Sequence, residues 1–183
     1  FSGRVRDLMT KTTQPLATTS SNKIYPWIAI TISALYLFYK YILQVSPGIM
    51  TNELMKAFHV HGAGLGNLAA TFFYSYMITQ LFVGVLLDKY SSRYLSAIAI
   101  AIAAIGAYLF STAHTLLEAQ LSRAMMGVGA AFATVSYMKI AAMWFKPSQF
   151  AFISGLLATA AMMGAVFGEA PLSYIVDTRG WRH

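Results

Sequence analysis

Five long apolar segments constrain the fold of this chain more than any other feature of its sequence. They run approximately over residues 25–47, 65–87, 94–113, 117–138 and 150–175. A helix needs about 20 mostly apolar residues to cross the roughly 30 Å hydrocarbon core of a bilayer. Since backbone groups inside lipid must find their hydrogen bonds within the protein, these segments predict membrane-spanning helices.

The composition supports the same class of protein. Only 10% of the 183 residues are charged, 57% are hydrophobic, and the mean hydropathy is +0.58. A soluble domain carries about 25% charged residues. The sequence therefore predicts an all-α, polytopic membrane helix bundle over residues 24–183 behind a flexible cytoplasmic tail, 1–23, that is rich in Ser and Thr. The chain begins with Phe1 and not Met, and it stops at His183, just where another apolar segment would begin, so we expect a fragment of a longer chain.

The basic residues predict an orientation in the membrane. Of the 13 Lys and Arg, eight lie in the tail and in the loops after the second and fourth spans, whereas Lys56, Arg179 and Arg182 lie on the other side. Because Lys and Arg are enriched in cytoplasmic loops, we expect a cytoplasmic N-terminus. The net charge of +7 then reflects topology, and without a basic patch interleaved with aromatic residues no nucleic acid is expected as a partner.

A short charged loop joins the second and third spans and carries a recognisable pattern. Residues 84–93 read G-V-L-L-D-K-Y-S-S-R, which resembles the signature loop between helices two and three of the major facilitator superfamily. The positions that match are Gly84, Leu86, Asp88, Lys89 and Arg93. The positions that depart from the pattern are Leu87, Ser91 and Ser92.

Later segments resemble the same family in the same order. Arg123 and Gly127 fit the R-x-x-x-G pattern of helix four, and residues 180–182 resemble the element that opens helix six. Gly164 and Gly168 resemble the glycine-proline motif of helix five, although Glu169 stands where proline normally follows the second glycine. The first span is also similar to that of a bacterial branch of nutrient transporters from intracellular pathogens, which implies a location in the bacterial inner membrane.

The resemblance implies an architecture and a function. The family has twelve helices in two six-helix halves, so this chain would hold the first five, and its partners would be the lipid bilayer and the missing C-terminal half. The implied function is secondary active transport of a small polar solute, such as an amino acid or a similar metabolite, by alternating access and coupled to protons; the alternative is facilitated diffusion. The loop with Gly84, Asp88, Lys89 and Arg93 would be a conformational latch against the second half. Within this chain, Asp88 is expected to meet only Arg93, Lys89 or water.

Three charged side chains fall at membrane depth, where they usually face a partner or a cavity. Lys40, Arg123 and Glu169 lie in one layer of the outer half at about 1.5 Å per helical residue. Because their spans are consecutive, we expect Arg123 and Glu169 to form an ion pair that a proton on Glu169 breaks, coupling protonation to movement. The alternatives are a static pair or a Glu169 that reaches outward to the interface.

Lys40 belongs to a polar stripe on the first span. Ser33, Tyr36, Lys40 and Gln44 recur at spacings of three and four and so share one helix face. We expect this face to contact the substrate, with Lys40 attracting an anionic or zwitterionic solute; the alternative is a lysine that extends to the interface. Three further positions are expected to allow close helix packing: Gly127, Gly164 and Gly168.

Other functional classes find no support in the sequence. No catalytic constellation and no phosphate-binding loop is present, so neither an enzyme nor an ATP-driven pump is expected, and no cofactor is implied. His59 and His61 lack partners at metal-ligand spacing, and the chain has no cysteine, so no metal site is expected. The alternative functions are a transporter-like membrane sensor and a truncated, inactive fragment.

Overall fold

The structure, a computed structural model, describes residues 24–179 apart from the side chains of Asp177 and Arg179. The predicted tail and the element at residues 180–182 lie outside the described residues. The described helices are α1 (Tyr25–Ile49), α2 (Thr51–Phe58), α3 (Gly62–Lys89), α4 (Ser92–Thr112), α5 (Leu116–Trp144) and α6 (Phe150–Arg179). A 3₁₀ turn, Pro147–Gln149, precedes α6.

Five of these helices are long and apolar enough to cross a membrane: α1, α3, α4, α5 and α6. The prediction of an all-α bundle with five membrane spans is therefore confirmed. Helix α2 is a short additional element in the connection between the first two spans. Helix α1 continues through Pro47 to Ile49 instead of ending at residue 47.

Helix α5 lies at the centre of the bundle and packs against α3, α4 and α1. Its buried positions are mostly small, which lets the helix backbones approach closely. A Cβ at Gly129 would lie 2.5 Å from the carbonyl oxygen of Ala99 on α4, and one at Gly127 would collide with Ser75 and Phe72 on α3. Gly127 is thus placed in a helix contact, as its predicted packing role requires.

Helix α1 separates much of α5 from α6. The backbone of α6 reaches α1 at Gly164, where a Cβ would lie 2.5 Å from the oxygen of Phe38, and at Gly168, which faces Ile42 and Val45. Helices α5 and α6 contact each other far less than either contacts α1. Consecutive position in the chain therefore does not make these two helices close neighbours along their length.

The start of α5 is fixed by a capping box. The Thr115 hydroxyl accepts a hydrogen bond from the backbone N–H of Glu118 at 3.2 Å. The Glu118 carboxylate in turn accepts from the N–H of Thr115 at 3.2 Å and from that of His114 at 2.8 Å. These bonds satisfy donors that a helix start leaves free, so the T-x-x-E sequence places the beginning of α5 at Leu116.

Candidate functional site

Arg123 on α5 is fully buried and bonds to the backbone of α1. Its Nη1 donates to the carbonyl oxygen of Leu43 at 2.6 Å. That carbonyl lies four residues before Pro47, which has no N–H to offer it, so the regular helical hydrogen bond is missing there. The Ser46 hydroxyl, at 3.0 Å, is a second donor to the same oxygen. Arg123 and Ser46 together replace the bond that Pro47 removes.

The remainder of the Arg123 guanidinium is unpartnered. Its Nε and Nη2 are buried and have no hydrogen-bond partner among the described residues. The guanidinium carbon lies 4.8 Å from the centre of the Phe72 ring on α3, a distance at which the ring face attracts a cation. The group is therefore an enclosed positive charge with two donors free.

Lys40 is also buried, with 5% of the residue exposed, and lies among tyrosines. Its Nζ is 3.5 Å from the hydroxyl of Tyr76 on α3, at the outer limit for a hydrogen bond. The same nitrogen lies 4.4 Å from the ring centre of Tyr41 and 4.8 Å from that of Tyr76. Within the described structure, Lys40 is enclosed by aromatic rings and does not extend to a helix end.

The two cations belong to one group of side chains where α1, α3 and α5 meet. Phe72 and Tyr76 stack with their ring centres 6.2 Å apart, and each ring contacts one cation. We call Lys40, Arg123, Phe72 and Tyr76 the cation cluster. Among the described side chains, no carboxylate forms an ion pair with either cation. The cluster thus carries two positive charges and no neutralising group of its own.

The other members of the predicted stripe lie beside this cluster. The Tyr36 hydroxyl donates to the carbonyl oxygen of Gly129 and so joins α1 to α5. Gln44 is partly buried, and the Ser33 hydroxyl bonds back to Ala29 of its own helix at 2.9 Å. The stripe therefore divides into two side chains that bond to backbone and two, Lys40 and Gln44, whose polar atoms remain available.

The expected ion pair between Arg123 and Glu169 is not formed in this structure. Glu169 is exposed on α6, next to Gly168, whose backbone packs on Ile42 of α1. Arg123 reaches Leu43, one residue further along α1, from the α5 side. The two charges therefore share a layer, as expected, but α1 lies between them and prevents contact.

The structure gives Asp88 a partner that the sequence did not predict. Its Oδ1 lies 3.2 Å from Nζ of Lys139 on α5, and the same nitrogen donates to the carbonyl oxygen of Leu87. The expectation that Asp88 meets only Arg93, Lys89 or water within this chain was wrong, because it considered only the loop itself. Lys139 also places a positive charge at the C-terminal end of α3, where it is favourable.

The remaining residues of the predicted latch loop are exposed. Helix α3 extends to Lys89, so Gly84 lies inside that helix, with open space where a Cβ would be. The Arg93 guanidinium lies 4.8 Å from the ring centre of Tyr25, and Lys89 lies 5.8 Å from that of Tyr90. Sequence analysis did not identify three residues of these sites: Lys139, Phe72 and Tyr76. Their roles become visible only from their positions on the packed faces of α3 and α5.

Comparison with known families gives one result. Residues 27–183 match the family model of the Major Facilitator Superfamily. The match covers all the helices described above except the first two residues of α1.

Two curated proteins resemble the chain, and both are transporters by name. An uncharacterized transporter, YybO, of Bacillus subtilis (strain 168) is 26% identical over 156 residues, which are 85% of this chain and 36% of that protein. The nitrate/nitrite transporter NrtP of Picosynechococcus sp. is 31% identical over 105 residues, which are 57% of this chain and 18% of that protein. The chain thus spans about a third or less of the length of these relatives. Both relatives carry the name of a transporter and neither that of an enzyme.

Proposed function

This chain belongs to the major facilitator superfamily, and on that premise we propose that it contributes the first five helices of a secondary transporter for a small anionic or zwitterionic solute. An amino acid or a similar small metabolite fits this class. The solute binds near the middle of the membrane between two halves of the protein, which rock to expose the site alternately to each side. The C-terminal half is the second partner that this mechanism requires.

The observation that carries the proposal is the unneutralised cation cluster. An ionised group buried in a low-dielectric region is costly unless an opposite charge or hydrogen bonds compensate it. Lys40 has no acidic partner among the described side chains, and Arg123 keeps two free donors. A carboxylate or another small anion supplies both the charge and the acceptors. The name of one relative, a nitrate/nitrite transporter, agrees with an anionic solute.

Movement of α1 is the step that gives a solute access to the cluster. In the described arrangement Arg123 is fully enclosed, and one of its nitrogens is bound to Leu43. The Ser46 hydroxyl already contacts the same carbonyl, so Arg123 can leave it without leaving the oxygen unbonded. Arg123 is then free to offer paired N–H groups to a carboxylate, the geometry that guanidinium groups favour.

Uptake by the full-length protein in proteoliposomes tests the proposal. With radiolabelled amino acids and dicarboxylates as probes, replacing Lys40 by Gln is expected to raise the KM for the transported anion about tenfold, since a charge-assisted contact of about 1.5 kcal/mol is lost. The matched control is Lys56→Gln on α2, an exposed lysine outside the cluster. An unchanged KM in the Lys40 variant would remove it from the binding site.

Proton coupling through Glu169 is the second part of the proposal. Glu169 is exposed on α6 in the same layer as Arg123, and a carboxylate at this depth is a candidate proton carrier. In Glu169→Gln, uptake is expected to lose its dependence on an imposed pH gradient while exchange of labelled for unlabelled solute continues. A Glu169→Gln protein that still accumulates solute in response to the gradient would contradict the coupling role.

The latch and the orientation complete the proposal. With the N-terminus in the cytoplasm of a bacterial cell, Asp88 and Arg93 lie at the inner face of the plasma membrane. There Asp88 contacts the second half when the site opens outward, and its pair with Lys139 holds the carboxylate in place. This contact between Asp88 and the second half stabilises the outward-open state and is broken in the inward-open state.

A further inference from the structure

A cleft opens at the end of the bundle where α3 turns into α4. Its volume is about 300 Å³, and it lies between the start of α1, the α3–α4 turn and the last turns of α5. Polar, charged and aromatic side chains line it together; those that matter here are Tyr25, Asp88, Ser92, Arg93, Lys139 and Trp144. We call it the turn cleft. It is separate from the cation cluster, and it shares Asp88, Arg93 and Lys139 with the proposed latch.

The N-terminus of α4 lies at this cleft. The N-cap residue, Ser91, makes no side-chain capping bond, and the first turn of the helix contains no acidic residue. The first backbone N–H groups of a helix have no partner within it and carry a partial positive charge. This 21-residue helix therefore offers free donors and a favourable field to an anion in the cleft.

A buried hydroxyl gives an independent indication of a ligand. Ser92 lines the cleft, is only 8% exposed, and its Oγ has no hydrogen-bond partner among the described residues. More than nine in ten buried polar groups in proteins are hydrogen-bonded, so an unpaired one at a cleft calls for a partner. A serine hydroxyl can rotate among staggered positions and donate to an acceptor that enters beside it.

The charges around the turn cleft favour an anion. Arg93 lies in the first turn of α4 with its guanidinium 4.8 Å from the Tyr25 ring, and Lys139 approaches from α5. The one carboxylate that lines the cleft, Asp88, is paired with Lys139 at 3.2 Å. Arg93 therefore remains as the uncompensated charge, and its planar N–H groups suit a phosphate oxygen pair.

The aromatic residues at the cleft indicate where the anion comes from. Tyr25 packs against Trp144 with ring centres 5.5 Å apart, and Trp27 packs against Phe145 at 5.1 Å. Tyrosine and tryptophan concentrate at the level of the lipid headgroups. These rings surround the ends of α1 and α5, so the turn cleft lies where a bilayer presents its phosphates.

From this combination we propose that the turn cleft binds the phosphate of an anionic phospholipid headgroup. The phosphate accepts hydrogen bonds from the N-terminus of α4, from the Ser92 hydroxyl and from Arg93. The acyl chains extend along the apolar surface of the bundle. Occupation brings Arg93 and the Asp88–Lys139 pair under the influence of the lipid composition, because the phosphate and this pair share one cleft.

Native mass spectrometry of the full-length protein in detergent tests this site. The protein is titrated with dioleoyl phosphatidylglycerol, with dioleoyl phosphatidylcholine and with inorganic phosphate. We expect one phosphatidylglycerol to bind more tightly than the others, and Arg93→Gln to weaken that binding about tenfold, the effect of losing one charge-assisted contact. Ser92→Ala removes a hydroxyl without changing the charge or the helix start, and it is expected to weaken the same binding by a smaller factor.

The control is Lys146→Gln, which removes a positive charge from the same end of the bundle outside the turn cleft. Its lipid affinity should equal that of the unmodified protein. Equal losses in the Arg93 and Lys146 variants would overturn the proposal, since they would indicate attraction to surface charge in general. Arg93-dependent binding of inorganic phosphate without preference for phosphatidylglycerol would also overturn it, in favour of a soluble anion. Elution of all variants at the same volume on size exclusion shows that they are folded.

Discussion

At the scale of single residues, the most consequential contact joins Arg123 to Leu43. An arginine in an apolar span indicates function, and the sequence alone shows that Arg123 is such a residue. Its partner is harder to recognise in the sequence, because it is the main-chain oxygen of Leu43 on α1. That oxygen lacks its helical hydrogen bond because Pro47, four residues later, has no N–H. The sequence therefore predicts that the charge is special, and the fold decides what it touches.

Replacing Arg123 by Met separates the functional role of this residue from a structural one. The variant removes a buried charge that has no carboxylate partner among the described side chains, while Ser46 still donates to Leu43. A buried charge without an opposite charge is costly, so its replacement by an apolar side chain of similar length removes that cost. We expect the thermal midpoint of the full-length protein to stay the same or rise, and uptake to fall by about a hundredfold or more, as for a lost pair of charge-assisted bonds.

The measurements are a thermal melt in detergent and initial uptake rates in proteoliposomes. A matched variant is Arg123→Lys, which keeps the charge and loses the planar donor arrangement. A large fall in the midpoint of Arg123→Met would identify a mainly structural arginine and would contradict its assignment to the solute site.

At the scale of elements, the contact between α1 and α6 depends on two glycines. Gly164 and Gly168 are one helical turn apart and face Phe38, Ile42 and Val45 of α1. The spacing alone predicted close packing at these positions, and the structure supplies the partner helix. Because neither glycine has a side chain, α6 can also slide along α1 at this contact. Such sliding fits the change between access states that the proposed transport requires.

Gly164→Ala is expected to destabilise the protein. The added Cβ would lie 2.5 Å from the oxygen of Phe38 and 2.9 Å from Cβ of Tyr41, so α6 must move away from α1. Overpacking of this kind costs about 1–3 kcal/mol, and the thermal midpoint in detergent should fall.

Gly155→Ala on the same helix is the matched control, because no described atom of another helix lies within 4 Å of its added Cβ. Alanine is about 0.5–1 kcal/mol better than glycine inside a helix, so the midpoint of this variant should stay the same or rise. Equal changes in the two variants would show that helix propensity and not contact with α1 determines the result.

The helices were easier to predict from the sequence than their arrangement. Apolar length predicts the five spans, and a T-x-x-E box such as that of Thr115 and Glu118 is readable directly. The prediction of an ion pair between Arg123 and Glu169 was wrong because it assumed that helices consecutive in the chain are neighbours in the bundle. The position of α1 between them depends on the packing of small residues from three helices, and a linear pattern does not show which of them meet.

At the scale of the whole molecule, Asp88 and Lys139 tie the ends of α3 and α5 together. Asp88 has 83% of its side chain exposed, whereas Lys139 has 26% and also bonds to the backbone of Leu87. An exposed ion pair contributes less than about 1 kcal/mol. The carboxylate is thus poorly suited to holding the bundle together, and its exposure agrees with the proposed latch contact.

Asp88→Asn is therefore expected to leave the thermal midpoint nearly unchanged but to alter the uptake rate of the full-length protein. Lys139→Met should lower the midpoint more, because it also removes the bond to Leu87 at the end of α3. Melts and uptake rates of the two single variants and the double variant check this. A larger loss of stability in Asp88→Asn than in Lys139→Met would be contrary to the geometry.

The orientation can be tested with introduced thiols, because these 183 residues contain no cysteine. Ser148→Cys lies in the turn before α6, and Asn52→Cys lies in α2 at the opposite end of the spans; both positions are exposed. In intact cells, a membrane-impermeant maleimide should label Cys at position 52 and spare Cys at position 148. The reverse pattern would place the N-terminus outside.

The bond between Arg123 and Leu43 has a consequence for biogenesis. The two residues are 80 positions apart, so α1 is synthesised well before the helix that completes its hydrogen bonding. At a synthesis rate of about 5–20 residues per second, the interval is roughly 4–16 s. During that time Ser46 is the donor that protects the free carbonyl from lipid. Helix α1 thus reaches its final environment late, since α6, its other neighbour, emerges later still.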